Sequence, residues 1–169
     1  MTETAGTFFR ALRKLTLGKF LRLCAMFLPH PLFGILSFLA TVKAFALAKK
    51  YFPETHSKSG IGNAFRHALW ASLIMSYCCK ISSPKKAIDW CIKLTTMHED
   101  LFPNNPLERK MDIHNSEVGM RLFQSMLPGI HRQFFETSFF LDVLFEKTKT
   151  AKILSDINTD YGDDLVYLQ

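Results

Sequence analysis

At 169 residues, 48% of them hydrophobic and 21% charged, the chain is long enough for one ordinary domain and too apolar to stay disordered. Its net charge of +6 is lopsided: residues 1–52 hold eight Lys and Arg (Arg10, Arg13, Lys14, Lys19, Arg22, Lys43, Lys49, Lys50) against Glu3 alone, and the remainder is nearly balanced. Leu, Phe and Ala fill the gaps between those cations, which favours an anionic membrane surface over nucleic acid as partner.

Residues 7–28 read as a basic amphipathic helix, with Phe8, Ala11, Leu12 and Leu15 on one side and Arg10, Arg13 and Lys14 on another. Pro29-His30-Pro31 stops it, because proline ends a helix and disfavours helix in the residue before it. A strongly apolar helix over 32–52 follows and ends in Lys49-Lys50. Residues 23–42 carry no charged side chain, a length that spans a bilayer core. The proline break in their middle fits a re-entrant hairpin, or two helices packed on the domain, better than one straight span. No small-x-small cleavage site follows, so the stretch does not read as a signal peptide. Residues 1–52 are thus a basic, apolar helical leader, and residues 53–169 a core domain.

The polar stretch 53–60 is a loop, and a helix over about 61–79, apolar on nearly all sides, is central. Ser82-Ser83-Pro84 starts the next helix, with serine as cap and proline in the first turn, running to about Phe102. Pro103-Asn104-Asn105-Pro106 breaks the chain before a helix over about 107–126, which ends at Pro128-Gly129. A last helix covers about 130–150, and the acidic tail with Asp156, Asp160, Asp163 and Asp164 packs as a strap. No apolar/polar alternation is sustained anywhere, so the expected fold is all-α: a single-domain bundle of about six helices. Cys24, Cys78, Cys79 and Cys91 form no CxxC pair and sit in apolar helices; they read as reduced core thiols of a cytoplasmic protein, which is also expected to lie peripherally on the inner membrane.

Three polar clusters interrupt these apolar helices: Asn63-Ala64-Phe65-Arg66-His67, His98-Glu99-Asp100, and Asp112-Ile113-His114-Asn115. Asn63 and His67 are one turn apart on the stripe that holds Trp70, Ala71, Ile74 and Cys78. His98 and Glu99 continue the stripe Ile88, Cys91, Ile92, Thr95. Asp112 neighbours the stripe Met111, Asn115, Val118, Leu122, Met126, and Gly119 on the same helix permits close approach of a neighbour. His114 lies about 200° around an ideal helix from Asp112, so the two converge only at a helix start or distortion. Ionisable groups facing a core must be paired, hydrogen-bonded or metal-bound, because burying them bare costs several kcal/mol.

Mixed imidazole and carboxylate donors suit zinc, manganese or iron. In that reading His67, His98, Asp112 and His114 are metal ligands, Asn63 and Asn115 support the bound ion, Glu99 is the general base, and Arg66 steadies a phosphate oxygen. The competing reading is a buried polar network that fixes helix register without catalysis. HExxH is excluded, since Phe102 stands where its second histidine would be. His30, His56 and His131 lie at turns or in loops and read as solvated.

The strings Gly62-Asn63-Ala64-Phe65-Arg66-His67-Ala68-Leu69-Trp70, His98-Glu99-Asp100 and Met111-Asp112-Ile113-His114-Asn115-Ser116-Glu117-Val118-Gly119 resemble an uncharacterised family of small bacterial helical domains, found especially in Bacteroidetes, with the pattern NAFRHALW, HE and MDxHNxxxG. They are also similar to domains ending some polymorphic toxins. The chain departs from that pattern at Ser116, where a second Asn is expected. The resemblance implies no reaction, but it implies that the polar motif positions are the ones to test. The functional expectation is a metal-dependent hydrolase of a phosphoester or lipid phosphate at the membrane face. The alternatives are a membrane-associated helical adaptor and a toxin-type nuclease.

Overall fold

In the computed structural model, residues 16–102 and 104–169 are described. The expected cationic and apolar faces of residues 7–15, with Phe8, Arg10, Ala11, Leu12, Arg13, Lys14 and Leu15, lie outside the described residues, as does Pro103. Among the described residues six helices follow in chain order: α1 (Leu17–Phe27), α2 (Pro31–Tyr51), α3 (Ile61–Ile81), α4 (Pro84–Leu101), α5 (Pro106–Met126) and α6 (Thr137–Lys149). A 3-10 turn (Arg132–Phe134) precedes α6, and two short strands, β1 (Lys152–Ile153) and β2 (Val166–Tyr167), pair in parallel after it. The all-α expectation holds.

Local chemistry sets the boundaries. Thr16 caps α1 by accepting from Lys19 N, and Ser83 caps α4 by accepting from Lys86 N. Asn105 and Glu108 form a reciprocal capping box at the start of α5, with Pro106 in its first turn. The last helix begins at Thr137 and not near 130, because residues 131–133 serve the end of α3 instead. Gln133 Nε2 donates to Lys80 O at 2.7 Å, and Arg132 donates to Ser82 O. Helix-terminal carbonyls need such partners.

α3 is the central element, with sixteen of its residues buried, and α2, α4, α5 and α6 pack around it. α2 lays a stripe of small residues, Ser37, Ala40, Ala44 and Ala48, toward α3. Two indole bonds fasten it: Trp70 Nε1 donates to Thr41 Oγ1 and Trp90 Nε1 to Ser37 Oγ, both at 2.9 Å. Ile92, expected on the buried stripe of α4, is 48% exposed. The strap does cross α5, and it does so through backbone: Asn115 donates Nδ2 to Val166 O at 2.8 Å and accepts from Val166 N at 2.9 Å. That side-chain amide completes a strand edge that no alternation in the sequence announced.

α3 and α5 pack backbone against backbone where Gly119 meets Ala68. A Cβ at Gly119 would lie 2.0 Å from Ala68 O. Ser72 Oγ sits in the same crossing, donating to Ala68 O at 3.0 Å and to Gly119 O at 2.9 Å. Gly119→Ala forces two backbones apart, a form of overpacking that reaches about 3 kcal/mol. A chain of this size then loses on the order of 10 °C in Tm. Gly129→Ala, where the nearest atom to a new Cβ is Met126 O at 3.9 Å, leaves the melt unchanged. Paired thermal melts followed by circular dichroism check both outcomes.

Candidate functional site

Below the α3–α5 crossing, toward the start of both helices, the polar clusters meet. Helical spacing sets Asn63, Arg66 and His67 of α3 on one side, at i, i+3 and i+4. His98 and Glu99 come from the last turn of α4, and Asp112 from the second turn of α5. Asn63, His67, Glu99 and Asp112 are all buried, while the His98 side chain is 37% exposed and forms the rim.

Asp112 is the hub. Its Oδ1 accepts from Asn63 Nδ2 at 3.2 Å and lies 3.4 Å from His67 Nε2; its Oδ2 accepts from Asn104 Nδ2 at 3.4 Å. Arg66 donates to Asn63 Oδ1 and to His56 O, and its Nη2 lies 3.3 Å from His67 Nε2. His98 Nε2 is 4.0 Å from Glu99 Oε1. Trp70 walls the rim edge-on, with ring centroids 5.2 Å from His98 and 6.1 Å from His67, and Phe102 stands 5.3 Å from His98.

Burial moves every titratable group here toward its neutral form. Glu99 rises to about 8, from burial first and the Asp112 charge second. Asp112 rises to about 6, burial outweighing the opposing Arg66 charge. His67 falls well below the usual imidazole range and His98 falls to about 4, in both cases from desolvation followed by the nearby Arg66 charge. Arg66 itself is lowered by burial, with Asp112 acting against that.

Among the described residues, one group of His, Cys, Asp and Glu side chains is close enough to share an ion: His67, Glu99 and Asp112, whose ligand atoms lie within 4.8 Å of one another. Two buried atoms of that same group, His67 Nδ1 and Glu99 Oε2, have no hydrogen-bond partner. Buried polar atoms are normally satisfied, so this cluster is where the fold leaves bonding capacity unspent.

The sequence-derived set divides accordingly. Asn63, Arg66, His67, His98, Glu99 and Asp112 come together. His114 and Asn115 do not join them, because α5 runs undistorted through residues 112–115 and turns both toward the strap. His114 Nε2 lies 2.8 Å from Asp164 O, and Asn115 binds Val166. Glu99, expected as base, instead lies among the possible ligands, and His98, expected as ligand, lies at the rim. His56, expected to be solvated, is buried at 8% exposure, with Nδ1 3.0 Å from Pro53 O and its own carbonyl accepting from Arg66. Asn104 was missed; its place in a Pro-Asn-Asn-Pro break eight residues before Asp112 is the signal that marks it. The three buried thiols are inert: burial raises Cys78 to about 12 and pushes Cys91 and Cys79 upward as well.

The buried cluster gives the domain a defined pH response. Glu99 is raised above its unfolded value, so its contribution to stability is full at low pH and declines as pH climbs from about 4.5 to 8. Asp112 acts in the same sense below about 6, where the lowered histidines act oppositely and offset it. Above pH 6.5 Glu99 dominates. Stability in chelator falls by about 2 kcal/mol between pH 6.5 and 8, and Glu99→Gln flattens that slope. Urea denaturation at stepped pH measures both.

The matching family model, described as "Domain of unknown function (DUF6973)", covers residues 24–152 and so spans all of these motifs. No curated protein and no solved structure matches the chain. The chain belongs to the DUF6973 family of domains of unknown function.

Proposed function

We propose that this domain is a divalent-metal-dependent hydrolase of phosphoesters, with His67, Glu99 and Asp112 as the ion's ligands. The observation that carries the reading is the coincidence of three ligand atoms within 4.8 Å of one another with two unpartnered buried atoms in the same residues. Imidazole with two carboxylates suits zinc, manganese or iron(II). The raised carboxylates are short of a cation, and the lowered imidazole of His67 is already in the neutral form that ligates a metal. Asn63 and Asn104 hold Asp112 from behind, as outer partners of a ligating carboxylate do.

A divalent ion at this position supplies polarisation of a phosphoryl oxygen and acidification of a water. The chain's own residues supply the rest. His98 is neutral at pH 7 and half-open to solvent, so it accepts a proton at the rim. Trp70 and Phe102 restrict water around it. A dication together with the Arg66 guanidinium outweighs two ionised carboxylates by one positive charge, which draws an anionic substrate. Four unpaired thiols support a reducing, cytoplasmic setting.

A specific observation favours a second reading. Arg66 already offers a buried cation to the Asp112 side of the cluster, so the network balances as a structural device without an ion. Elemental analysis of tag-free protein separates the two. In the enzyme reading, about one equivalent of zinc, manganese or iron co-purifies and is lost in Asp112→Ala; His98→Gln keeps the metal while phosphoester hydrolysis falls about 10²–10⁴-fold. Metal-free protein that Asp112→Ala destabilises by about 3–5 kcal/mol establishes the structural network instead.

A further inference from the structure

We propose that the exposed face of the α1–α2 hairpin is a docking surface for an anionic phospholipid bilayer, on which the domain sits peripherally. Large apolar side chains cluster there: Leu17, Phe20 and Leu21 on α1, Leu28 at its C-cap, then Leu32, Ile35, Phe38 and Leu39 on the first half of α2. Spacings of three, four and seven residues make each set one stripe. On α2 that stripe is opposite the Ser37, Ala40, Ala44 and Ala48 stripe that packs on α3. The face is therefore outward by construction. Exposed apolar patches of this kind on a folded domain mark interaction sites.

Charge names the occupant. The described part of the hairpin carries Lys19, Arg22, Lys43, Lys49 and Lys50 and no acidic residue. On α2 the order is axial, with apolar residues near the Pro29-His30-Pro31 turn and lysines toward the far end. A helix whose apolar end enters the acyl boundary while its cationic end meets headgroups fits this order. Lys43 also shares a groove with Lys80 of α3, Tyr77, Ser138 and Glu136, whose two lysines outweigh the one carboxylate beside the lysine half. A second copy of the chain would present the same cations to one another, which repels.

α2 is long and apolar enough to cross a membrane, with mean hydropathy 1.8. Its two indole bonds and its Ala stripe against α3 hold it to the domain, so the contact is lateral and not a span. The hairpin also reaches the cluster described above: Lys19 Nζ donates to Leu101 O, two residues past Glu99. Docking therefore brings the His98 rim to the lipid surface, and the substrate class for the proposed hydrolase becomes a lipid phosphate. That last step rests on the hydrolase reading; the docking itself does not.

Vesicle co-sedimentation of the full chain tests the surface. Vesicles of phosphatidylcholine alone and of phosphatidylcholine with phosphatidylglycerol are compared at low and high salt, with light scattering for oligomeric state. The wild type partitions at least tenfold more to the anionic vesicles, and salt reduces this. Ile35→Glu/Leu39→Glu, at exposed positions, keeps the melting curve and loses at least tenfold in partitioning. Lys43→Glu/Lys50→Glu loses the preference for phosphatidylglycerol. Equal partitioning to both vesicles, undiminished binding by Ile35→Glu/Leu39→Glu, or a dimer that this variant dissolves with no vesicle binding overturns the proposal. Extraction only by detergent and not by salt overturns it in favour of a span. His67→Ala binds vesicles like wild type, so failure of the metal site and failure of the docking surface are read separately.

Discussion

The crossing of α3 and α5 at Gly119 and Ala68 sets the geometry of everything around it. With a carbonyl standing where a Cβ would be, the two helices approach as closely as backbones can, and Ser72 ties both strands of that contact with one hydroxyl. A side chain of any size at 119 would push α5 away from α3 and draw Asp112 away from Asn63 and His67. The 3.2 and 3.4 Å contacts of Asp112 Oδ1 thus depend on a glycine two helical turns away. The packing constraint and the polar cluster are one feature seen at two points along the same pair of helices.

That arrangement has an energetic consequence. Two carboxylates, two imidazoles and a guanidinium share a region with little water, and burial displaces each toward its neutral form. A fold optimised only for stability would replace such a set with apolar side chains of similar volume, which often stabilises. The surroundings here are apolar enough to do so: Phe65, Leu69 and Met111 are fully buried close by in sequence. Retaining the polar set, and leaving His67 Nδ1 and Glu99 Oε2 without partners, is the pattern expected where function opposes stability.

Much of this was legible in the sequence because helices write their packing in steps of three and four. The cap at Ser83, the proline break at 29–31, the central position of α3 and the role of Gly119 all follow from that grammar. So does the separation of His114 from Asp112, which the 200° offset on a regular helix already implied. What local pattern could not show were partners distant along the chain. Asn115 bonds a backbone 51 residues away, and the carbonyl of His56 faces the Arg66 guanidinium only because a loop folds under α3. Likewise the start of α6 was misplaced because residues 131–133 are recruited by the carbonyls at the end of α3, a tertiary demand without a sequence signature. Which of His98 and Glu99 faces inward turns on about 100° of helix rotation, too fine a distinction for a stripe drawn on an ideal helix.

In the proposed metal site, proton and cation would compete for the same atoms. With Glu99 raised to about 8, its carboxyl holds a proton at neutral pH, while Asp112, at about 6, is largely ionised and faces Arg66. The metal-free network is then close to neutral, which is why it can be buried at all. For an ion to share oxygens of both carboxylates, Glu99 must release its proton, so occupancy at neutral pH is opposed by roughly one proton's binding free energy and strengthens as pH rises toward 8. Above that pH the same ionisation that weakens the empty fold prepares the site. In the proposed site, the strain of burying Glu99 and the capacity to hold a cation would therefore be two descriptions of one carboxyl group. Its Oε2, buried without a hydrogen-bond partner, is the atom the proposed ion would satisfy.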